Sequence, residues 1–188
     1  MYNDTFNVAN IEFNCEIYGP GRRIVIWFQG CTLGCKGCWN ESMQNTEPNE
    51  LVNREDILKM IVSNGCDGVT FLGGEPLQQS ENLIWLMRGL KAHGINIMLY
   101  TGYEPEEISE SPVFSEICGL ADILIIGRYI EEKRNIFLKW RGSENQKVLF
   151  RNGDQITEEC NQMEIRIDKD GSITCLGYPP EDIECILE

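Results

Sequence analysis

Apolar and polar residues alternate over residues 11–18, with Ile11, Phe13, Cys15 and Ile17 on one side and Glu12, Asn14 and Glu16 on the other. That period predicts a half-buried strand, turned by Gly19-Pro20-Gly21. The run over residues 24–28 is apolar on both faces, as a parallel strand covered by helices on both sides should be. Shorter apolar runs over residues 68–72, 95–100 and 120–126 predict further strands. Helical periods separate them. Asn53 can cap a helix to about Ser63, with a stripe of Ile57, Leu58, Ile61 and Val62, and Asn64-Gly65 stops it. Leu83, Ile84, Leu86, Met87 and Leu90 mark a helix over residues 80–92, ended by His93-Gly94, where His93 reads as a C-terminal cap. A third helix opens at Glu104-Pro105 and runs to about Cys118, with Ser111-Pro112 positioned to break it in two.

Strand and helix thus alternate at least three times, which predicts an α/β fold with parallel strands joined by crossovers. With so few units any β/α barrel is incomplete, and one side stays open for a large substrate such as a loop of another protein. Ligand loops that follow strands would fall on one rim, at the C-terminal ends of the strands. After a strand over residues 147–150, residues 163–167 and 173–176 read as a small C-terminal hairpin around Asp168-Lys169-Asp170-Gly171. The expected organisation is one domain over residues 1–188, with a core at about 11–150 and an extension at about 151–188.

The chemistry lies at the exit of the second strand, where Cys31, Cys35 and Cys38 are spaced C-x₃-C-x₂-C on a loop with Gly30, Gly34 and Gly37. Such a loop can wrap tightly enough for the thiolates to meet one inorganic centre. A structural zinc site needs four ligands, and an electron-carrying [4Fe-4S] cluster usually has a cysteine on each iron. A triplet therefore leaves one iron open, or borrows a fourth zinc ligand from Cys66 or His93. Trp39, after the third cysteine, reads as a ring shielding the loop from water. The strand over residues 68–72 runs into Gly73-Gly74-Glu75-Pro76, which offers bare peptide groups and an acceptor to a ligand. The strand over residues 95–100 ends in Thr101-Gly102-Tyr103, suited to a ribose hydroxyl, a carboxylate or a plain turn.

Charge narrows the partners. Lys and Arg number 16 against 30 Asp and Glu, a formal balance of −14, which disfavours nucleic acid or an anionic membrane as the main partner. Residues 128–151 hold seven basic and three acidic residues, and residues 154–188 two basic and ten acidic, so a basic segment precedes an acidic tail. Nine cysteines with a central metal-type triplet fit a reducing compartment, and the sequence lacks a leader-like start and any run of about 18 apolar residues. The expected location is the cytoplasm. Cys160, Cys175 and Cys185 lack the spacing of a second cluster and read as core or surface thiols.

The cysteine spacing resembles the signature of radical S-adenosylmethionine (SAM) enzymes, and Gly73-Gly74-Glu75 resembles the motif by which they hold the amino end of SAM. Arg141-Gly142-Ser143-Glu144-Asn145-Gln146, Gly37-Cys38-Trp39-Asn40, Gly19-Pro20-Gly21-Arg22-Arg23, Trp27-Phe28-Gln29-Gly30 and Leu176-Gly177-Tyr178-Pro179 look like the single-cluster group that activates anaerobic ribonucleotide reductases. One departure is Ile126 before Gly127, where that group leads us to expect an aspartate. Read without the resemblance, residues 141–146 are a polar loop before a strand. The resemblance implies a partial barrel of the radical SAM type and a [4Fe-4S] cluster on Cys31, Cys35 and Cys38. It implies SAM held by Gly73, Gly74 and Glu75, with Thr101 and Trp39 beside it, and reductive cleavage of SAM to a 5′-deoxyadenosyl radical. The implied partners are a glycyl-radical reductase-like protein and an electron donor of the reduced flavodoxin or ferredoxin type. Two alternatives stay open at this level: a radical SAM enzyme of the same scaffold that modifies a peptide, nucleotide or metabolite, and a non-enzymatic Fe-S electron-transfer module.

Overall fold

A computed structural model describes residues 4–160, 162–167 and 169–178. Asp168, Pro179 and Cys185, singled out from the sequence, lie outside them. In chain order the elements are β1 (Thr5–Cys15), β2 (Arg23–Phe28), β3 (Glu50–Asn53), α1 (Arg54–Asn64), β4 (Gly68–Gly73), α2 (Ser80–Ala92), β5 (Asn96–Thr101), α3 (Pro105–Glu110), α4 (Pro112–Leu120), β6 (Ile123–Ile126), β7 (Lys147–Phe150), β8 (Met163–Ile167) and β9 (Ile173–Gly177). Seven strands form a mixed sheet in the order β3-β1-β2-β4-β5-β6-β7, and β8 and β9 form a separate antiparallel pair. The four inner strands β2, β4, β5 and β6 are parallel, with β2 and β4 in register from Arg23↔Gly68 to Phe28↔Gly73. β1 joins β2, and β7 joins β6, antiparallel. The fold is α/β, as the alternation predicts.

The two faces of the inner strands are covered differently. Ile24, Ile26 and Phe28 of β2, Val69 and Phe71 of β4, and Ile97 and Leu99 of β5 point into one core with Ile57 and Ile61 of α1, Leu83, Leu86, Met87 and Leu90 of α2 and Ile117 of α4. Phe28 stacks on Phe6 and Phe71, with ring centroids 5.0 and 5.8 Å apart. Each such side chain contributes about 1.5–3 kcal/mol by leaving water. The opposite face, with Val25, Trp27, Leu72, Met98, Ile123 and Ile125, is not under helices as the two-sided apolar pattern predicts. Val148 and Phe150 of β7 extend this face beside Ile125 and Ile123, and Trp140 and the hairpin's Leu176 pack on it, so a loop and the hairpin stand where a second helix layer was expected.

Local chemistry explains most boundaries. Asn53 accepts the Glu55 N–H and caps α1, and Gly65 ends it in the left-handed region. Ser111 accepts the Phe114 N–H, so the expected break gives two helices, each started by a proline. β1 departs from the expected alternation. It begins at Thr5, and register shifts between Val8 and Asn10 and between Glu12 and Cys15 insert residues that switch the facing side. Phe13 is therefore exposed while Cys15 is buried. β3 has no apolar signal, because pairing with residues 5–8 of β1 alone creates it. Among the described residues no helix is long and apolar enough to cross a membrane.

Candidate functional site

The cysteine loop leaves β2 and is fastened by its own neighbours. Gly30 and Cys31 donate their N–H groups to Met43 O at 2.8 Å and Gln44 O at 3.1 Å, and Gln29 donates its amide to Asn45 O at 2.6 Å. Gln78 grips Thr32 twice, accepting its N–H at 3.1 Å and donating to its hydroxyl at 2.8 Å. Gly34 and Gly37 take φ of 62° and 65°, the left-handed turns that bend the loop on itself. Cys31, Cys35 and Cys38 are all half-buried free thiols on this loop.

Gly73-Gly74-Glu75 packs directly on it. Gly74 N–H donates to Phe28 O at 2.7 Å and Glu75 N–H to Gly30 O at 2.9 Å. A Cβ on Gly74 would lie 2.3 Å from Gly30 O, and one on Gly73 2.5 Å from Phe28 N. Gly73 is thus required by backbone contact with the end of β2, and Gly74 by backbone contact with the start of the cysteine loop, whatever they offer to a ligand.

Glu75 is 1% exposed and lies at the centre of the strand ends. Its Oε1 accepts from Leu77 N–H and the Thr101 hydroxyl, both at 2.9 Å, and its Oε2 accepts the Gly102 N–H at 2.8 Å. Burial raises its pKa to about 7 against the pull of these donors. Thr101 is buried and accepts the Tyr103 N–H at 3.1 Å. A Cβ on Gly102 would meet the end of the Leu33 side chain, from the cysteine loop, at 2.6 Å.

The β6 exit completes the rim. Arg128 donates to Gly102 O at 3.2 Å and forks onto Glu107 at 2.5 and 2.9 Å, holding that carboxyl down to about 2. Glu131 bonds Lys36 at 2.8 Å and fills the space where a Cβ on Gly37 would go. Trp39 packs edge-on against Tyr178 with centroids 4.9 Å apart, under the Arg134 guanidinium at 4.3 Å. Its ring thus joins the cysteine loop to the hairpin exit. Its buried indole N–H has no hydrogen-bond partner among the described residues. Ile126, in place of the expected aspartate, is buried in the helix-side core. Sequence reasoning singled out Gly102 with Thr101 at a strand exit, but missed Gln78 and Arg128, whose partners are distant in the chain.

Burial pushes up the thiols of Cys31 and Cys35, and each is further raised by neighbouring cysteines. A cation is what such a set of thiols needs to ionise together. Among the described residues no three His, Cys, Asp or Glu groups gather around a single metal ion. Cys66 and His93 cannot close a zinc site here, because they precede β4 and β5 and so lie at the rim opposite the cysteine loop. Three soft sulfur donors on one loop are the donor set that a [4Fe-4S] cluster with one open iron takes.

The chain matches the model of the 4Fe-4S single cluster domain over residues 17–149. It is 32% identical over 146 residues to the anaerobic ribonucleoside-triphosphate reductase-activating protein of Enterobacteria phage T4, covering 72% of this chain and 89% of that protein. The proteins of the same name from Escherichia coli K12 and Haemophilus influenzae are 27% and 30% identical, each over 70% of this chain and 90% of the relative. Among solved structures, QueE from Escherichia coli aligns with a TM-score of 0.40 and 24% identity over 52% of this chain and 51% of that one. With its cysteine and glycine loops on one rim, the chain belongs to the single-cluster 4Fe-4S family that includes the anaerobic ribonucleoside-triphosphate reductase-activating proteins.

Proposed function

We propose that this protein is a radical SAM activase that installs a glycyl radical on an anaerobic ribonucleotide reductase-like partner. When bound, the cluster supplies the electron for reductive cleavage of SAM to a 5′-deoxyadenosyl radical, which abstracts a hydrogen atom from the partner's glycine. Cys31, Cys35 and Cys38 hold the cluster. Gly73, Gly74 and Glu75 receive the amino end of SAM: the Glu75 carboxylate has accepted three hydrogen bonds of about four it can take, which leaves an acceptor site for an ammonium. Thr101 fixes that carboxylate, and Trp39 keeps water from the loop. The four parallel strands supply the partial barrel of this reading, and a reduced flavodoxin or ferredoxin-type protein supplies the electron.

The observation that carries the reading is the direct seating of the Gly73-Gly74-Glu75 loop on the cysteine loop, in a chain whose relatives are named as reductase activators. The test is anaerobic reconstitution with iron, sulfide, SAM, dithionite and an anaerobic ribonucleoside-triphosphate reductase as partner. The expected result is 5′-deoxyadenosine with a matching glycyl-radical signal by electron paramagnetic resonance. SAM cleavage without a glycyl radical moves the assignment to a peptide, nucleotide or metabolite substrate. Failure to cleave SAM at a fully loaded cluster leaves an electron-transfer module.

A further inference from the structure

Gln78 stands at the junction of the two loops that carry the proposed site. Its side chain accepts the Thr32 N–H at 3.1 Å and donates to the Thr32 hydroxyl at 2.8 Å, so one carboxamide holds both the peptide and the side chain of the residue after Cys31. Among the described residues no other hydrogen bond reaches residues 32–34 from outside the cysteine loop. The loop's other ties lie at its start, where Gly30 and Cys31 donate to Met43 O and Gln44 O, and toward its end, at Lys36 on Glu131 and Asn40 on Gly73 O.

The same carboxamide also belongs to the surroundings of Glu75. It donates to the Tyr103 hydroxyl at 3.1 Å, the Tyr103 N–H donates to the Thr101 hydroxyl oxygen at 3.1 Å, and that hydroxyl donates to Glu75 Oε1 at 2.9 Å. The ring closes through the short 3₁₀ turn Pro76–Gln79, which Glu75 caps by accepting the Leu77 N–H, and in which the Gln78 N–H donates to Glu75 O at 3.1 Å. Closed rings of satisfied hydrogen bonds are stiff, and Glu75 and Thr101 are shut off from bulk water that could replace a lost partner. The separation between the Glu75 carboxyl and Thr32 is thereby set before any ligand arrives.

A ligand that meets Glu75 at one end and a cluster on Cys31, Cys35 and Cys38 at the other needs these two attachment points at a fixed separation. Holding them there in advance spares the ligand the cost of ordering the loop. We propose that Gln78 is a positioning residue for SAM: by gripping Thr32 from the turn that Glu75 caps, it sets the cysteine loop at the distance from Glu75 that one SAM molecule spans. The proposal rests on the reading of the site given above, and Gln78 acts in it through Thr32, with Tyr103 bracing Gln78 from the β5 exit.

The test is isothermal titration of SAM into the anaerobically reconstituted full-length protein, with iron content measured throughout, for the parent, Gln78→Ala, Tyr103→Phe, their double variant and Thr32→Val. Gln78→Ala should keep the parent's iron and bind SAM about five- to 30-fold more weakly, the freedom of one residue that the ligand must now fix. Tyr103→Phe leaves both bonds on Thr32 and should weaken binding by about two- to tenfold, a hydrogen bond's share. Because Tyr103 acts through Gln78, the double variant should bind no more weakly than Gln78→Ala. The change that SAM causes in the electron paramagnetic resonance spectrum of the reduced cluster should need correspondingly more SAM, while the spectrum without SAM stays that of the parent. Parent affinity in Gln78→Ala at full iron content overturns the proposal, and so do losses that add in the double variant. If Gln78→Ala loses its iron, Thr32→Val, which removes only the 2.8 Å bond, decides in its place. Parent affinity there overturns the proposal, and a loss of about two- to tenfold at full iron content supports it. A parent that holds about four irons but binds no SAM overturns the reading of the site instead.

Discussion

The Thr101 hydroxyl donates to Glu75 Oε1 at 2.9 Å, and neither side chain is open to bulk water. This bond ties the exits of β4 and β5 together beneath the cysteine loop, and the Gly102 N–H on Oε2 doubles the tie. A carboxyl so placed shapes the rim and, in the proposed reading, is the acceptor for the SAM ammonium.

Glu75→Ala should therefore weaken SAM binding by about 10- to 150-fold, the loss of a charge-assisted bond worth about 1.5–3 kcal/mol. Isothermal titration of the reconstituted protein measures it, with iron content as the control. Equal affinity in variant and parent would remove Glu75 from the SAM site.

The same carboxyl gives a pH dependence. Its pKa is raised to about 7 in the folded protein, so Glu75 is mostly protonated at pH 6 and mostly ionised at pH 8. An ammonium prefers the ionised form, so SAM affinity should fall about tenfold from pH 8 to pH 6. Glu75→Gln should bind weakly at both values. The sign for stability is opposite to that of a paired carboxylate: the raised pKa makes the folded state lose stability as pH climbs from about 4.3 to about 7, and the loss is complete above that. Melting curves of the apoprotein across this range should show the fall in the parent and not in Glu75→Gln.

Cys35→Ala should abolish cluster retention and SAM cleavage together, because two thiolates do not hold a cubane. Iron and sulfide analysis of the anaerobically reconstituted variant, set against about four irons per chain in the parent, reads this directly. One equivalent of zinc in the parent would favour a structural site.

Gly74→Ala tests the contact between the two loops. A Cβ there would lie 2.3 Å from Gly30 O, which is backbone and cannot turn aside. The expected cost is about 1–3 kcal/mol of stability, with the cysteine loop displaced and iron retention lowered. Gly34→Ala, whose Cβ meets nothing within 4 Å, carries only the strain of its positive φ and should keep more iron.

One guanidinium ties the hairpin to β1 at three points. Arg166 bonds Glu164 at 2.6 Å, Glu12 at 2.7 Å and Phe13 O at 3.0 Å, fastening β8 to β1. Arg166→Met should raise amide exchange in β8 and β9 while leaving β2, β4 and β5 protected, at a cost of about 1–2 kcal/mol after solvent screening of these partly exposed groups. Unchanged exchange in the hairpin would show that Leu176 and Tyr178 suffice to hold it.

Local chemistry made much of this molecule legible in its sequence. The 3.6-residue and two-residue periods, Asn53 as a cap, Ser111-Pro112 as a break and Gly65 as a stop act within one or two turns of chain, and the corresponding helices and inner strands form where those signals stand. The C-x₃-C-x₂-C loop and Gly73-Gly74-Glu75 were visible for the same reason, since their chemistry is carried by adjacent residues. Tertiary structure alone decided what depends on distant partners. The excess of positive charge over residues 128–151 is offset by Glu107 on Arg128 and Glu159 on Arg141, and Arg134 lies over Trp39, so a local charge count does not describe a free basic patch. The bulges of β1, the existence of β3 and the packing of Trp140 and Leu176 on the inner strands arise from pairing and packing across the whole chain, and neighbouring residues leave no trace of them. The need for glycine at position 74 is of this second kind. The sequence shows a small residue at a strand end, and only the fold brings Gly30 O to where its Cβ would have been.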